Sequence, residues 1–379
     1  MDTVALITAD ELGTVRWSTH PTAVLAQQWI VPIMQQGVAN FISNVHAQIY
    51  LLQVNEKILP LTISGSYIND SYIVSPYCYI PYSLEEIRHI SNSALRFVLR
   101  CIVRGVGVFL RHAKINETVM VNNWLVSTNL YPDLSQSEIR SVTTFLKDRF
   151  PQKVIVWRSL NDAQHTNLLS NFAHEGYKRI ASRQVYIFNP AHQQTLTSAM
   201  KTSLRGDAHL ARTTHYRCTY SCAAQSAKRL ESLYRMLYVE KYSVFNPQYT
   251  EAFFSLAIER KFISFIFLED KSIDAMAGYW SIGSTFSTPM VGYDTSKPKE
   301  KGLYRLLTHY LLRHMEDTNM VMNHSSGVGA FKRYRGGMAS IEYSAVYVRH
   351  LPWQRRLPWF IFGTMLNMIG VPLIKAYKL

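Results

Sequence analysis

Apolar positions in the first half of the chain switch repeatedly between helical and strand spacing. Residues 24–34 carry apolar side chains at helical intervals. Residues 48–66 (QIYLLQVNEKILPLTISGS) read as two β-branched, aromatic-rich strands joined at Asn55-Glu56-Lys57. A helix is predicted over 83–112, where Ser83 followed by Glu85 and Glu86 supplies a start signal. Residues 123–130 read as a strand, 135–150 as a helix stopped by Pro151, and 154–158 as a buried strand. A helix over 168–175 ends at Gly176, and 182–188 is a further strand. This alternation predicts an α/β (α+β) domain.

The second half repeats the order. Helices are expected over 223–239 and 248–261, then antiparallel strands over 262–269, 275–282 and 285–293. A helix over 298–315, a short strand over 321–324, a short helix over 329–335 and a last strand over 341–349 follow. No literal repeat accompanies the shared order, so the pattern predicts one fold used twice and diverged in sequence. The expected division is 1–190, 191–352 and an apolar tail at 353–379.

Composition narrows the class. The 379 residues are 47% hydrophobic and 17% charged, a folded chain rather than a disordered one. Forty Lys and Arg against 26 Asp and Glu leave a net charge of +14, which favours an anionic partner: nucleic acid, a phosphorylated cofactor or an acidic membrane surface. Four cysteines (Cys78, Cys101, Cys218, Cys222) exclude a disulfide-stapled scaffold. The opening MDTVALITADELG lacks a basic segment followed by an apolar run, so a cytoplasmic setting is expected.

Part of the charge sits in two apolar stretches. In residues 94–112, Arg96, Arg100, Arg104 and Arg111 recur at helical spacing, and the wide apolar arc between them suits a membrane surface or, the preferred reading, a helix packed in the core with arginines at its rim. Residues 357–374 carry no charge and are flanked by Arg355, Arg356, Lys375 and Lys378. That run is at the short limit of a span and contains Pro372. It reads as an interfacial helix on the inner face of a membrane, with Trp353 and Trp359 at headgroup depth, or as a helix docked on the protein.

The stretch with most chemistry is 291–307 (VGYDTSKPKEKGLYRLL). A strand ends at Tyr293-Asp294, a cationic turn follows, and a helix starts near Gly302. Unpaired N–H groups at a helix start, with Lys297, Lys299 and Lys301 beside them, form either a phosphate cradle or a solvated basic cap. Asp294 either faces that turn or caps it. No G-x-S-x-G, P-loop or dinucleotide fingerprint occurs, and His215, Cys218 and Cys222 lack a second ligand pair, so no metal is expected.

Three antiparallel strands, a glycine-bearing turn into a helix, a short strand and a last strand resemble the GNAT acyltransferases. Lys299-Glu300-Lys301-Gly302-Leu303-Tyr304 stands where that family has its Gln/Arg-x-x-Gly-x-Gly/Ala pyrophosphate loop, with the middle glycine matching. Residues 323–337 (NHSSGVGAFKRYRGG) resemble the G-x-x-x-(Y/F)-K segment of the CelD-like branch, which like the Fem-type peptidyltransferases pairs two GNAT-like halves. The resemblance implies tandem GNAT-like domains, each with a mixed, mostly antiparallel sheet flanked by helices, the first half degenerate. It further implies acyl transfer from acyl-CoA to an amine acceptor, a small molecule or a lipid-linked one, without a metal. Lys299, Lys301, Gly302, Leu303, Tyr304 and Arg305 would hold the donor. Lys332, Glu342, Tyr293, Asp294 and His324 would do the chemistry, with Glu342 as base if burial raises its pKa. Tyr242, Asn246 and Arg333 would touch the acceptor, although Asn246-Pro247 also reads as a helix terminator. The alternatives are Fem-type aminoacyl transfer from charged tRNA to a cell-wall precursor, and a non-catalytic membrane- or nucleic-acid-binding module. Nucleic acid is the least favoured partner, because the basic residues are scattered rather than striped.

Overall fold

The computed structural model describes residues 2–65, 67–89 and 91–372. Among these, twelve strands form one sheet: β1 (Val4–Ile7), β2 (Gln48–Val54), β3 (Lys57–Ile63), β4 (Thr118–Val121), β5 (Val154–Asn161), β6 (Lys178–Phe188), β7 (Arg217–Thr219), β8 (Ser264–Glu269), β9 (Ile273–Ile282), β10 (Thr285–Tyr293), β11 (Val321–Asn323) and β12 (Met338–Tyr347). Their order is β1-β2-β3-β4-β5-β12-β6-β11-β10-β9-β8-β7. The β4–β5 and β10–β11 pairs are parallel and the other neighbours antiparallel. Helices cover both faces, as the alternating pattern predicts.

Read inward from either edge, the two halves match. Helix Gln136–Arg149 crosses between the parallel strands β4 and β5, and Leu303–Thr318 crosses between β10 and β11. Parallel neighbours require such a crossover. At the centre the sixth strands trade places: β12 lies between β5 and β6, and β6 lies between β12 and β11. The β6–β12 ladder runs from Met338↔Ile187 to Val346↔Lys178, so backbone hydrogen bonds join the halves.

One core also joins them. Trp29, from the helical rod formed by Pro21–Leu25, Ala26–Ile30 and Val31–Gln36, packs with Trp124 and Trp280 at ring distances of 5.3–5.7 Å. Phe253 and Phe254 of Glu251–Arg260 complete the cluster. Each such ring contributes on the order of 2–3 kcal/mol by leaving water.

Several elements differ from the pattern's prediction. Residues 123–130 are not a strand but a buried irregular segment following β4. Their asparagines replace the missing ladder: Asn122 Nδ2 donates to Leu130 O (2.8 Å), and Trp124 N donates to Asn129 Oδ1 (3.0 Å). Such side chains satisfy a buried backbone without a strand partner. The 83–112 helix is two helices, Tyr79–Glu86 and Ser93–His112, the second capped by Asn92 onto Leu95 N (2.9 Å). Helix Ser198–Thr213 was not predicted, its polar positions masking the apolar stripe.

The rim-of-the-core reading of 94–112 is overturned. Of helix Ser93–His112, Gly107 and Leu110 are buried, while Leu95, Phe97, Val98, Ile102, Val108 and Phe109 face outward. The helix belongs to an insertion between β3 and β4; the matching strands β9 and β10 are joined by a tight turn at Gly283-Ser284. Helix Trp353–Met365 docks on the sheet through Trp359 and Phe362, and Asn367 exchanges hydrogen bonds with Ala181 N and Arg179 O (both 2.8 Å). Trp353, Phe360, Ile361 and Met368 remain exposed. Ile374, Lys375 and Lys378 lie outside the described residues. No described helix is long and apolar enough to cross a membrane.

Candidate active site

The sheet opens along one seam. β10 and β11 pair at Thr285↔Val321, Phe286↔Met322 and Ser287↔Asn323; beyond that point β11 has ended while β10 runs on. β10 also bulges, because its register with β9 steps from Ser287↔Trp280 to Met290↔Gly278. Pro289 sits in that bulge, where no ladder donor is needed. After β11 the chain turns through Ser325 (φ 54°), Gly327 (φ 83°) and Val328 (φ 45°) into the short helix Gly329–Arg333.

His324 fills the seam. Its Nδ1 hydrogen-bonds Thr288 Oγ1 (2.6 Å), its Nε2 meets Tyr304 OH (3.3 Å), and its ring lies parallel to Tyr304's. Burial, then the charge of Lys332, hold the imidazole pKa well below its ordinary value, so the ring is neutral at pH 7. Burial and the neighbouring tyrosines 238, 242 and 293 push the Tyr304 hydroxyl well up, keeping it protonated.

Lys332 is almost fully buried, and its Nζ donates to the carbonyls of His324 (2.5 Å), Ser325 (3.3 Å) and Ser326 (2.8 Å). Every ammonium hydrogen thus has a backbone acceptor. The residue fixes the turn that presents His324 and does not itself point to a free space. Arg333 donates to Tyr186 OH (2.8 Å), and Arg335 lies over the Phe331 ring (3.5 Å).

The first half meets this turn through its buried segment. Thr128 donates to Ser325 Oγ (3.2 Å) and accepts from Arg183 Nη2 (2.9 Å). Arg183 also reaches Ser127 O (2.6 Å) and both oxygens of Glu342 (2.9 and 3.3 Å). Glu342 is buried as its proposed role requires. That pairing, with Ser182 as a further donor (3.3 Å), makes it an ion-pair partner and not a free base, a correction to the sequence reading. Burial opposes the Arg183 charge, and Glu342 outweighs it, raising the guanidinium pKa.

A second bulge lies in the first half, on β5. The β5–β12 register steps between Leu160↔Tyr343 and Trp157↔Ala345, and Ser159 takes φ 67°. The bulge aims Arg158 inward. Its Nη1 donates to Ile73 O (3.1 Å) and Asn123 Oδ1 (3.3 Å), and it forms no ion pair among the described residues. Tyr72, Tyr79 and Tyr131 surround it, Tyr72 under the guanidinium at 5.9 Å. Burial lowers its pKa and the charge of Glu342, itself paired with Arg183, opposes that; an inward, half-buried arginine with no carboxylate bonded to it, ringed by tyrosines, is suited to an anionic group.

The remaining predicted residues fall elsewhere. Tyr293 OH accepts from Lys241 Nζ (3.1 Å) and its ring stands 6.5 Å from Tyr304, at the seam's rim. Asp294 accepts from Ser296 N, Ser296 Oγ and Arg229 Nη2; burial opposes these bonds, which prevail and hold its pKa below the usual carboxylate range. It caps its turn and pairs with Arg229, so it is no base. Lys299 is exposed and Lys301 approaches His215 Nε2 (3.4 Å), whereas Leu303 is buried in the core. Gly302 has φ 64°, but the space above it is filled: a Cβ there would stand 2.6 Å from Leu210 Cδ2. Arg305 pairs with the buried Asp207 (2.7 Å), which also holds Arg335. Helix Ser198–Thr213 thus covers the turn expected to take a cofactor. Tyr242 is exposed, and Asn246 is spent on Tyr238 O (2.8 Å) and Ser243 O (3.1 Å), the terminator reading. Among the described residues no group of three or more His, Cys, Asp or Glu is arranged to hold a metal.

No protein-family model matches the chain, and no curated protein matches it in sequence. Solved structures do. The crystal structure of FemX superposes with a TM-score of 0.52 at 8% identity, covering 94% of this chain and 100% of that one. A tandem GNAT protein from the clavulanic acid biosynthesis pathway gives 0.38 at 9% identity, covering 93% and 99%. The C-terminal domain of a putative lysylphosphatidylglycerol synthetase from Agrobacterium fabrum gives 0.44 at 13%, covering 61% and 79%. The superposition on FemX shows that the fold is of the Fem type along nearly the whole chain.

Proposed function

We propose that the protein is an N-acyltransferase that joins an activated acyl group to an amine in the seam between β10 and β11. The observation that carries this reading is the Thr288–His324–Tyr304 chain, a protonated hydroxyl held in line by a neutral imidazole at the point where β11 ends and β10 runs on. The amine nitrogen attacks the thioester carbonyl carbon of acyl-CoA, and the tetrahedral oxyanion collapses with loss of the thiolate. Tyr304 gives its proton to the departing sulfur and regains the one shed by the amine. His324 and Thr288 keep the hydroxyl oriented. Arg158 holds an anionic group of the acceptor.

A second reading, aminoacyl transfer from charged tRNA, is favoured by one observation: Leu210 over Gly302 and Asp207 on Arg305 occupy the turn where coenzyme A phosphates would sit. Thiol release from acetyl- and palmitoyl-CoA with a panel of amines, beside discharge of aminoacyl-tRNA, separates the two. Thiol release by the wild type, lost in Tyr304→Phe, supports the first. Calorimetry without coenzyme A binding, together with tRNA discharge, replaces it by the second.

A further inference from the structure

The insertion helix Ser93–His112 and the helix Trp353–Met365 lie on one apolar cluster. Leu110 and the half-buried Val103 and Val106 of the first share it with Trp359 and Phe362 of the second. Between them, Arg355 Nη2 donates to Lys114 O (3.4 Å) and Tyr79 packs 5.9 Å from Phe362. The outer sides of both helices are bare. Phe97 is 68% exposed, Phe360 69% and Trp353 61%, values normal for lysine and not for aromatic side chains.

The charge on the two helices has a single sign. From Ile87 to Asn116 the chain carries six basic and no acidic residues, and helix Trp353–Met365 carries Arg355 and Arg356 and none acidic. Arg88, Arg96, Arg100, Arg104 and Arg111 form no ion pair among the described residues. Beside them a cavity of about 480 Å³ is lined by Arg111, His112 and Lys114 together with Tyr77 and with Glu117, whose carboxylate is already paired with Lys153 (2.6 Å). Apolar side chains in the middle, unpaired arginines at the margin and a hollow edged by Arg111 and Lys114 at one end form a coherent arrangement.

We infer that this two-helix face lies on an anionic lipid bilayer, apolar side chains in the acyl boundary and arginines at the phosphates. Three occupants compete for such a surface. Nucleic acid would satisfy the arginines but leave the apolar ridge uncovered. A second copy of the chain would cover the ridge but press two arginine margins together. A membrane with acidic headgroups satisfies both, the long arginine stems covering the ridge while their heads reach phosphate. The inference stands apart from the acyl-transfer reading, because it concerns where the protein sits and not what it transfers.

The test is sedimentation of the full chain with sucrose-loaded vesicles, either phosphatidylcholine alone or about seven parts phosphatidylcholine to three of phosphatidylglycerol. Wild type is expected to pellet with the acidic vesicles and to be released by about 0.5 M salt, where the Debye length is only a few ångströms. Phe97→Ser with Ile102→Ser, and separately Arg96→Gln with Arg100→Gln, should each lower partitioning at least tenfold; each arginine is worth about fivefold. These side chains are on the surface, so an unchanged thermal melt confirms that the variants fold. Equal pelleting of wild type and variants overturns the inference, as does wild type remaining in the supernatant. A wild-type dimer that the serine pair dissociates overturns it in favour of self-association. Loss of a tRNA gel shift in the arginine pair, with vesicle binding intact, overturns it in favour of RNA.

Discussion

Tyr304 and His324 differ from the other titratable side chains of the seam in being held by each other and by Thr288. Replacing Tyr304 by Phe keeps the ring and removes the proton, so turnover should fall about 100-fold with donor affinity unchanged, read by steady-state kinetics and calorimetry. Lys332 belongs to a different class. Lys332→Met leaves three buried carbonyls without a donor and should cost about 3 kcal/mol in denaturant unfolding. The buried histidines also set the acid limb of stability. His324 is held neutral by burial and Lys332, and burial lowers His165 to about 4. The unfolded chain takes up these protons first, below about pH 6.5. Stability is therefore full above that value and falls by about 1.4 kcal/mol per pH unit per histidine as pH drops towards 4, read by urea midpoints across pH. At this scale the sequence disclosed His324, Tyr304 and Lys332 through local motifs. It did not disclose Arg158 or Arg183, whose partners are 85 and 159 residues away, nor that Glu342 is already paired.

Among the elements, those with local signatures were legible: the β2–β3 hairpin, helix Gln136–Arg149 with its Ser135–Glu138 capping box, and the β8–β9–β10 meander. The misread ones depend on distant partners. Residues 123–130 have the composition of a strand, yet their backbone is satisfied by their own asparagines. Helix Ser93–His112 has the pattern of a core helix, yet its apolar side faces out. Two substitutions probe how tightly elements are set. Ser135→Ala removes a cap bonded to Glu138 N (3.1 Å) and should cost about 1 kcal/mol. At Gly292 a Cβ would lie 2.7 Å from the Leu233 carbonyl carbon, backbone that cannot step aside. Gly292→Ala should force helix Ala227–Tyr234 off β10 and cost about 2–3 kcal/mol, a shift visible in thermal unfolding.

For the whole molecule, the similar order of elements in the two halves was legible, because it lies in the sequence of strands and helices. The exchange of β6 and β12 was not, since no residue pattern records which fifth strand a sixth strand joins. With one sheet and one shared core, the chain should unfold in a single transition, seen as coincident near- and far-UV circular dichroism curves. Residues 1–190 expressed alone lack β12 and should fail to give a sharp melt. The exchange also governs how the protein is made. β5 emerges from the ribosome with the strand that will flank it still about 180 residues away, a wait of roughly 10–35 s at ordinary translation rates. For that interval a buried-type strand is an open edge, able to pair with a neighbouring nascent chain. Yield of this protein should therefore respond more to chaperone capacity and synthesis rate during translation than to the stability of the finished fold.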